Sequence, residues 1–579
     1  MDLSQTLATI NAVLWNQTWI LIIAATGVVF TIWSGFSQYR ALTHGSRVLR
    51  GEYDDPRDPG AINHFQALSA ALSGTVGLGN IGGVALAITL GGPGAIFWMW
   101  LVGLLGMAIK LTEVTLSMLY RNTDDPGNPH GGPMWVADQA LRRINPRLAW
   151  FGTTLAFVFS FCIMTSAMTG GNMFQAWNVA DVTSSYFGLP GWVAGVALTV
   201  LVGSVLIGGI RRIGRVTARL VPAMVLTYVI AGFYVLITHF AEVPAMLVLI
   251  VKSAFTQTDA AGAFIGGTVG SAFLFGMKRA IFSNEAGQGS SPIAHAAAKT
   301  DEPVREGLVG GLEPFIDTIV VCTFTALIIL STGIWNRAPD VMFDELPLPR
   351  QTATGWSYPD VVLRPGEWQD QQALLMIVEA GENPATGRNL HRVSGTVTAT
   401  GNGFTASWNE FPGAIRPDIV GGGFYEDHVG ATLTAKAFDS VTPGLGKWLI
   451  TIASWLFAVS TIIAWGYYGE QGAVYMWGNR AAIPYRLVYC AATFVATLGH
   501  IKTSADLDNM TGIGLGIVVY ANLPICWIFG YQAMRAYKDY IIRLKDGRIG
   551  PDHPPPSIDD LLSGRDVQEK PDDAARATT

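Results

Sequence analysis

Two stretches of this chain place hydrogen-bonding and charged residues inside runs otherwise apolar enough to cross a bilayer. The first, residues 71–86, reads ALSGTVGLGNIGGVAL; the second, residues 275–292, reads FGMKRAIFSNEAGQGSSP. Glycines together with Thr75 and Asn80 release backbone amides and carbonyls at mid-membrane depth, where they persist only if they line a cavity or hold a ligand. Free amides at the start of a half-helix carry about half a positive charge and suit a carboxylate. Free carbonyls suit a small hard cation such as sodium. The same glycines also suit close helix packing of the small-xxx-small type. Gly77-x-Gly79-x-x-Gly82 matches the spacing of a dinucleotide fingerprint, but that motif needs a preceding strand and a βαβ unit, and this run lies within a membrane-length apolar segment. In the second stretch Lys278, Arg279 and Glu285 are each costly in lipid, about 2.5–3.5 kcal/mol at a helix centre. They read as an internal ion-pair set holding a broken helix, with Phe282, Ser283 and Asn284 at the break itself as ligand contacts.

The elements that must position these residues are membrane helices. Half of the 579 residues are hydrophobic and 14% are charged, against about 25% in an average soluble domain. Runs of about 20 apolar residues fall near 17–36, 64–90, 94–119, 149–177, 191–210, 218–239, 262–298, 310–333, 448–469, 484–499 and 510–534. The chain is thus expected to be an all-α polytopic membrane protein of about eleven helices. The interrupted runs are the second and seventh, so setting the first helix aside divides the rest into five plus five, each half opening on a broken helix. That is the pattern of an inverted repeat with its ligand at the repeat interface.

Loop charge orients the helices. Arg40, Arg47 and Arg50, then Arg142, Arg143 and Arg147, then Arg211, Arg212, Arg215 and Arg219, and finally Arg535, Lys538, Arg543 and Lys545 follow alternate helices. This reading places the N-terminus outside, the C-terminus in the cytoplasm and the first helix as a retained span. Residues 1–334 and 447–540 form the helical core. Residues 335–446 break the apolar pattern; alternation over 391–400 and 403–408 and the turn signals at 401–403 and 421–423 predict a small β-rich extracytoplasmic insertion. Residues 541–579 are expected to form a disordered cytoplasmic tail.

Other classes find little support. The net charge of −6 comes with no basic stripe for nucleic acid. Cys162, Cys322, Cys490 and Cys526 have no paired spacing, as zinc or disulfides would need, and read as small buried hydrophobes. A membrane enzyme would need a nucleophile or metal constellation, and neither HExxH nor an elbow-placed GxSxG occurs. A receptor would need an output domain larger than the tail. Proton coupling through Glu113 or Glu285 is the alternative within transport.

At both motifs the chain closely resembles the alanine or glycine:cation symporter family, the sodium:alanine symporters. The resemblance runs through Gly74–Ala85, Gly91–Trp100, Phe282–Ser290 and Ser460–Glu470. It implies a LeuT-like fold in the inner membrane and import of a small amino acid with sodium. It further implies that Thr75, Leu78 and Gly79 meet the substrate, that Gln175, Phe282, Ser283 and Asn284 line the pocket, and that Trp465 closes it. Sodium would be held by carbonyls of Ser73, Val76 and Phe457 and hydroxyls of Ser460 and Thr461. The chain departs from the family at Leu78, where members commonly carry Thr, and at Gln288, where they carry Met.

Overall fold

The structure is a computed structural model that describes residues 3–364, 368–383, 386–401, 403–428, 430–499, 504–549 and 555–563. Among them, seven helices are long and apolar enough to cross a membrane: Gln5–Trp33, Gly94–Leu119, Pro146–Phe187, Gly209–Thr238, Pro303–Ser331, Leu445–Trp477 and Leu507–Lys545. An eighth span is a bent pair, His64–Thr75 and Gly79–Gly91, meeting at 54°. Three of the expected spans fold as shorter helices, Gly191–Leu206, Val269–Asn284 and Ala482–Val495. A further apolar helix, Val243–Ser253, falls between two expected runs. Flanking glycines and loops make an apolar run longer than the helix it contains, so run length overstates helix length at all three.

The core is built by small residues that let backbones meet. A Cβ on Gly276 would lie 2.3 Å from the Ala95 carbonyl oxygen, so Val269–Asn284 can press on Gly94–Leu119 only with glycine there. Helix Leu445–Trp477 is buried through most of its length and packs against both halves of the bundle.

Residues 341–426 form strands. Ala373–Glu379 pairs antiparallel with Leu390–Thr400, which pairs with Gly403–Trp408; Gly423–Glu426 lies on the other side of Ala373–Glu379. Ala373–Glu379 is buried on both faces, which explains its unbroken apolar run. Leu374, Met376 and Val378 join Trp408 and Phe424 in a core of the sheet's own. Leu375 and Ile377 pack with Tyr425 on Ala263 and Ile265, in the loop before Val269–Asn284. The insertion is therefore secured by its own core and by docking, with all four cysteines free. Beyond it, helix Ala431–Asp439 reaches the bent pair, where Thr434 Oγ1 donates to the Ile81 carbonyl at 3.3 Å.

The expected tail from 541 starts inside the last long helix, which runs to Lys545, and Ile558–Ser563 is a short helix. Residues 550–554 and 564–579, like Asn402 of the turn signal, lie outside the described residues.

Candidate functional site

The first half of the bent pair starts at Asn63, whose side chain accepts from the Gln66 amide while Gln66 returns a bond to the Asn63 amide. It stops at Thr75 because Val76 turns extended, with ψ 97°. The gap is tied across by Asn80: its Oδ1 accepts from the Gly77 amide at 2.8 Å, and its Nδ2 donates to Asp317 Oδ1 at 2.5 Å and Ser283 Oγ at 3.1 Å. Ser283 in turn donates to Asp317 Oδ2 at 2.7 Å. One buried carboxylate thus joins the two interrupted segments. Gly77 has a positional reason as well, since a Cβ there would sit 3.0 Å from Thr461 Oγ1.

The second interruption falls at Glu285, one residue beyond the expected Phe282–Asn284. Those three are the last helical residues, and Glu285 ends the helix in the left-handed region with φ 55°. A non-glycine residue there costs about 1–2 kcal/mol. Its carboxylate is held by Ser290 Oγ at 2.5 Å and Trp465 Nε1 at 3.1 Å. The expected ion-pair set of Lys278, Arg279 and Glu285 does not form. Arg279 instead faces Asp508 at 3.8 Å and the Phe282 ring, and Glu285 is buried with its carboxylate on Ser290 and Trp465.

Between the two breaks lies a cavity of about 30 Å³. Thr75, Leu78, Gly79, Gln175, Phe282 and Trp465 line it, joined by Gly74, Gly77, Gly170, Glu285, Thr461, Thr511 and Leu515. Gln175 follows the π-helical turn Thr169–Met173 and donates to the Gly170 carbonyl at 3.2 Å. Its Oε1, Thr461 Oγ1 and Thr511 Oγ1 are buried with no hydrogen-bond partner among the described residues. Each buried polar atom left so costs about 1–3 kcal/mol, and all three belong to residues on the wall of one small space. Trp465 is set by a close approach: a Cβ on Gly171 would lie 2.3 Å from its side chain.

Three unpartnered hydroxyl or amide oxygens thus face one small enclosed space between the two broken helices. The profile described as "Sodium:alanine symporter family" matches residues 1–347 and 418–553. The chain belongs to the sodium:alanine symporter family. This symporter is 33% identical over 531 residues to the sodium/alanine symporter AgcS of Methanococcus maripaludis, covering 90% of this chain and 96% of that one. It is 32% identical over 544 residues to the putative sodium/proton-dependent alanine carrier protein YrbD of Bacillus subtilis, covering 93% of each. Over 326 residues it is 36% identical to the probable sodium/glutamine symporter GlnT of Bacillus subtilis, covering 56% of this chain and 65% of that one. Among solved structures, that of MhsT in complex with L-phenylalanine aligns with a TM-score of 0.49 at 13% identity, over 83% of this chain and 93% of its own. The family profile pauses between 347 and 418, within the strand-forming segment of the symporter.

Two of the residues expected at the symporter's substrate site lie off the cavity wall. Ser283 is engaged with Asp317, and Asn284 donates to Thr318 Oγ1 at 3.2 Å and accepts from the Ala286 amide. Of the expected sodium ligands, the Ser460 hydroxyl donates to the Phe457 carbonyl at 2.8 Å, which is ordinary helix back-bonding, and Ser73, expected to act through its carbonyl, has its hydroxyl on the Ala70 carbonyl at 2.8 Å. Val76 and Phe457 pack in one cluster. Thr461, facing Gly77 with its hydroxyl unpartnered, has the chemistry of a cation ligand. Sequence reasoning passed over Glu285 as a wall residue, Asp317 as the tie between the breaks, and Thr511 and Leu515 on the last long helix. Asp317 offered a signal, being one of two carboxylates, with Glu313, in the apolar run 310–333; Thr511 offered none.

Proposed function

We propose that this protein imports a small neutral amino acid such as alanine or glycine together with sodium across the inner membrane. The observation that carries the reading is the set of unpartnered oxygens of Gln175, Thr461 and Thr511 around one cavity between two broken helices, beneath the Trp465 ring. The amides of Gly77 and Asn80 are satisfied within their own loop. In this proposal those of Leu78 and Gly79 meet the substrate carboxylate, with the half-helix dipole behind them. Gln175 takes a substrate polar group, and Phe282 and Trp465 limit the side chain to a small one. Carbonyls of Ser73, Val76 and Phe457 with hydroxyls of Ser460 and Thr461 hold sodium and order the extended turn at Val76, raising affinity for the amino acid.

The proposed architecture is a LeuT-like five-plus-five repeat of about eleven spans with one extra N-terminal helix. The strand segment lies outside the cell, the N-terminus outside and the C-terminus in the cytoplasm. Rocking of one bundle against the other exposes the cavity alternately to either side.

The test is uptake of labelled alanine by proteoliposomes under an inward sodium gradient and, separately, under a proton gradient with potassium replacing sodium. Sodium-driven accumulation is expected. Coupling is reciprocal, so alanine must raise sodium affinity by the factor by which sodium raises alanine affinity. Alanine binding with equal affinity in the presence and absence of sodium would sink the proposal.

A further inference from the structure

Behind the cavity, buried titratable groups form a series that runs toward the protein surface, hydrogen-bonded from His64 through Glu306 and His295 to Glu313 and extended at each end by longer ion-pair contacts. His295 lies between two carboxylates, its Nδ1 at 2.5 Å from Glu306 Oε1 and its Nε2 at 2.7 Å from Glu313 Oε1. Glu306 uses its other oxygen, Oε2, toward His64 Nδ1. His64 uses its other nitrogen, Nε2, toward Asp54 Oδ1 at 3.6 Å. At the opposite end Glu313 Oε2 faces Lys110 Nζ at 3.3 Å, and Lys110 donates to Ser291 Oγ at 2.6 Å. The neighbouring Ser290 hydroxyl holds Glu285 Oε2, and Glu285 is a wall of the transport cavity. Lys110, Glu313, His295 and Glu306 are completely shielded from solvent, whereas the Asp54 side chain is 42% exposed and lines a surface cavity of about 560 Å³.

Two features separate this series from a set of packed ion pairs. Glu306 and His295 each hydrogen-bond two neighbours through two different atoms, and Glu313 and His64 turn their second atoms toward Lys110 at 3.3 Å and Asp54 at 3.6 Å, so each can accept a proton on one atom and release it from the other. The charges also fail to balance. Glu113, Glu285, Glu306, Glu313 and Asp317 are five buried carboxylates, and the facing cations are four at most: Lys110, Arg121 and, when protonated, His64 and His295. Unpaired charges are not sustained in such an interior, so the cluster must hold protons on carboxyl oxygens.

We propose that Glu285 takes up and releases a proton during transport, and that Lys110, Glu313, His295, Glu306 and His64 relay it between Glu285 and the surface cavity beside Asp54. That cavity is on the face the loop charges assign to the cytoplasm. In the outward direction of the relay, the Glu285 carboxylic O–H gives its proton up past the Ser290–Ser291 corner to the Lys110 end. The Lys110 ammonium gives one proton to Glu313 Oε2 and takes the Glu285 proton back on the same Nζ; Glu313, His295, Glu306 and His64 each gain a proton on one atom and lose one from the other, and water at Asp54 receives one proton. No internal group changes its charge except Glu285. The groups facing Glu285 are Lys110 on Gly94–Leu119, Glu313 and Asp317 on Pro303–Ser331, and Trp465 and Tyr468 on Leu445–Trp477; Glu113 faces Lys110, and Arg121 faces Glu306. The relay's role, though not its existence, rests on the transport reading above.

The experiment compares wild type with His295→Gln and Glu313→Gln in proteoliposomes carrying an internal pH dye, measuring sodium-driven net alanine uptake and alanine-for-alanine exchange. Wild type should move protons with net uptake. The variants should lose that proton movement and slow net uptake at least tenfold, while exchange, which returns Glu285 to its starting state on one side, persists. Wild type moving no protons, variants moving them normally, or exchange falling in step with net uptake would each overturn the relay. If alanine is neither taken up nor exchanged, the symport reading fails, and the relay is read by infrared spectroscopy of the purified protein. There the carboxyl band of Glu285, identified by its loss in Glu285→Gln, should exchange with deuterium at least tenfold faster in wild type than in His295→Gln. Equal rates, or the lack of such a band, would overturn it.

Discussion

Trp465 is held in place by what Gly171 lacks. A methyl at Gly171 would fall within 2.3 Å of the Trp465 side chain, and the ring also carries the bond to Glu285. Gly171→Ala should displace the ring and reduce alanine uptake by about tenfold or more, a barrier increase of about 1.4 kcal/mol, with expression unchanged. Thr461→Val keeps the shape and removes the unpartnered hydroxyl. The expected result is a rise of about tenfold in the sodium concentration for half-maximal uptake, with a smaller effect at saturating sodium. His428 gives a pH prediction in the strand segment. Burial first, then the Arg337 and Lys436 charges, pushes its imidazole down from 6.5 to about 3. The unfolded chain binds this proton below about 6.5 and the folded chain only near 3, so stability is complete above 6.5 and declines as pH falls between the two values. Thermal unfolding followed at pH 7 and pH 4.5 should show a drop that His428→Gln reduces.

At the scale of elements, the two breaks arise differently. The first was legible because five glycines and Asn80 lie within ten residues of an apolar run, and no continuous helix is favoured by that composition. The second lacked such a cluster at its break. Its helix continues through Phe282–Asn284 and stops at Glu285 in a left-handed conformation that local sequence disfavours; Ser290 and Trp465, the latter 180 residues away, hold it there. The packing of Val269–Asn284 on Gly94–Leu119 depends on Gly276 against the Ala95 carbonyl, where backbone cannot yield. Gly276→Ala should therefore destabilise the protein by about 1–3 kcal/mol, seen as a lower thermal midpoint in detergent and lower yield of folded protein.

At the scale of the molecule, the strand segment and the helical bundle meet at few places. The cavity-lining residues all lie outside 348–417, the stretch that the family profile passes over, and helix Ala431–Asp439 reaches Ile81 from beyond it. Replacing 348–417 by a short flexible linker should leave sodium-driven uptake within about threefold of wild type. It should also lower the thermal midpoint, because Leu375 and Ile377 no longer cover Ala263 and Ile265. Loss of uptake in a folded deletion protein would mean that the segment takes part in gating.

Composition and apolar run length were enough to determine a polytopic membrane protein, because a bilayer imposes one length and one polarity on everything that crosses it. The glycine-rich motif was enough to mark where backbone groups come free. Only the tertiary structure decided which distant groups those free ends meet: Asp317 across both breaks, Thr511 on the cavity wall, and His64, His295 and three glutamates in one buried series. These contacts join residues up to several hundred positions apart, and they are chosen by which helix faces pack together. Local sequence does not encode that choice, since a lone carboxylate or histidine in an apolar run reads the same whichever partner it finds.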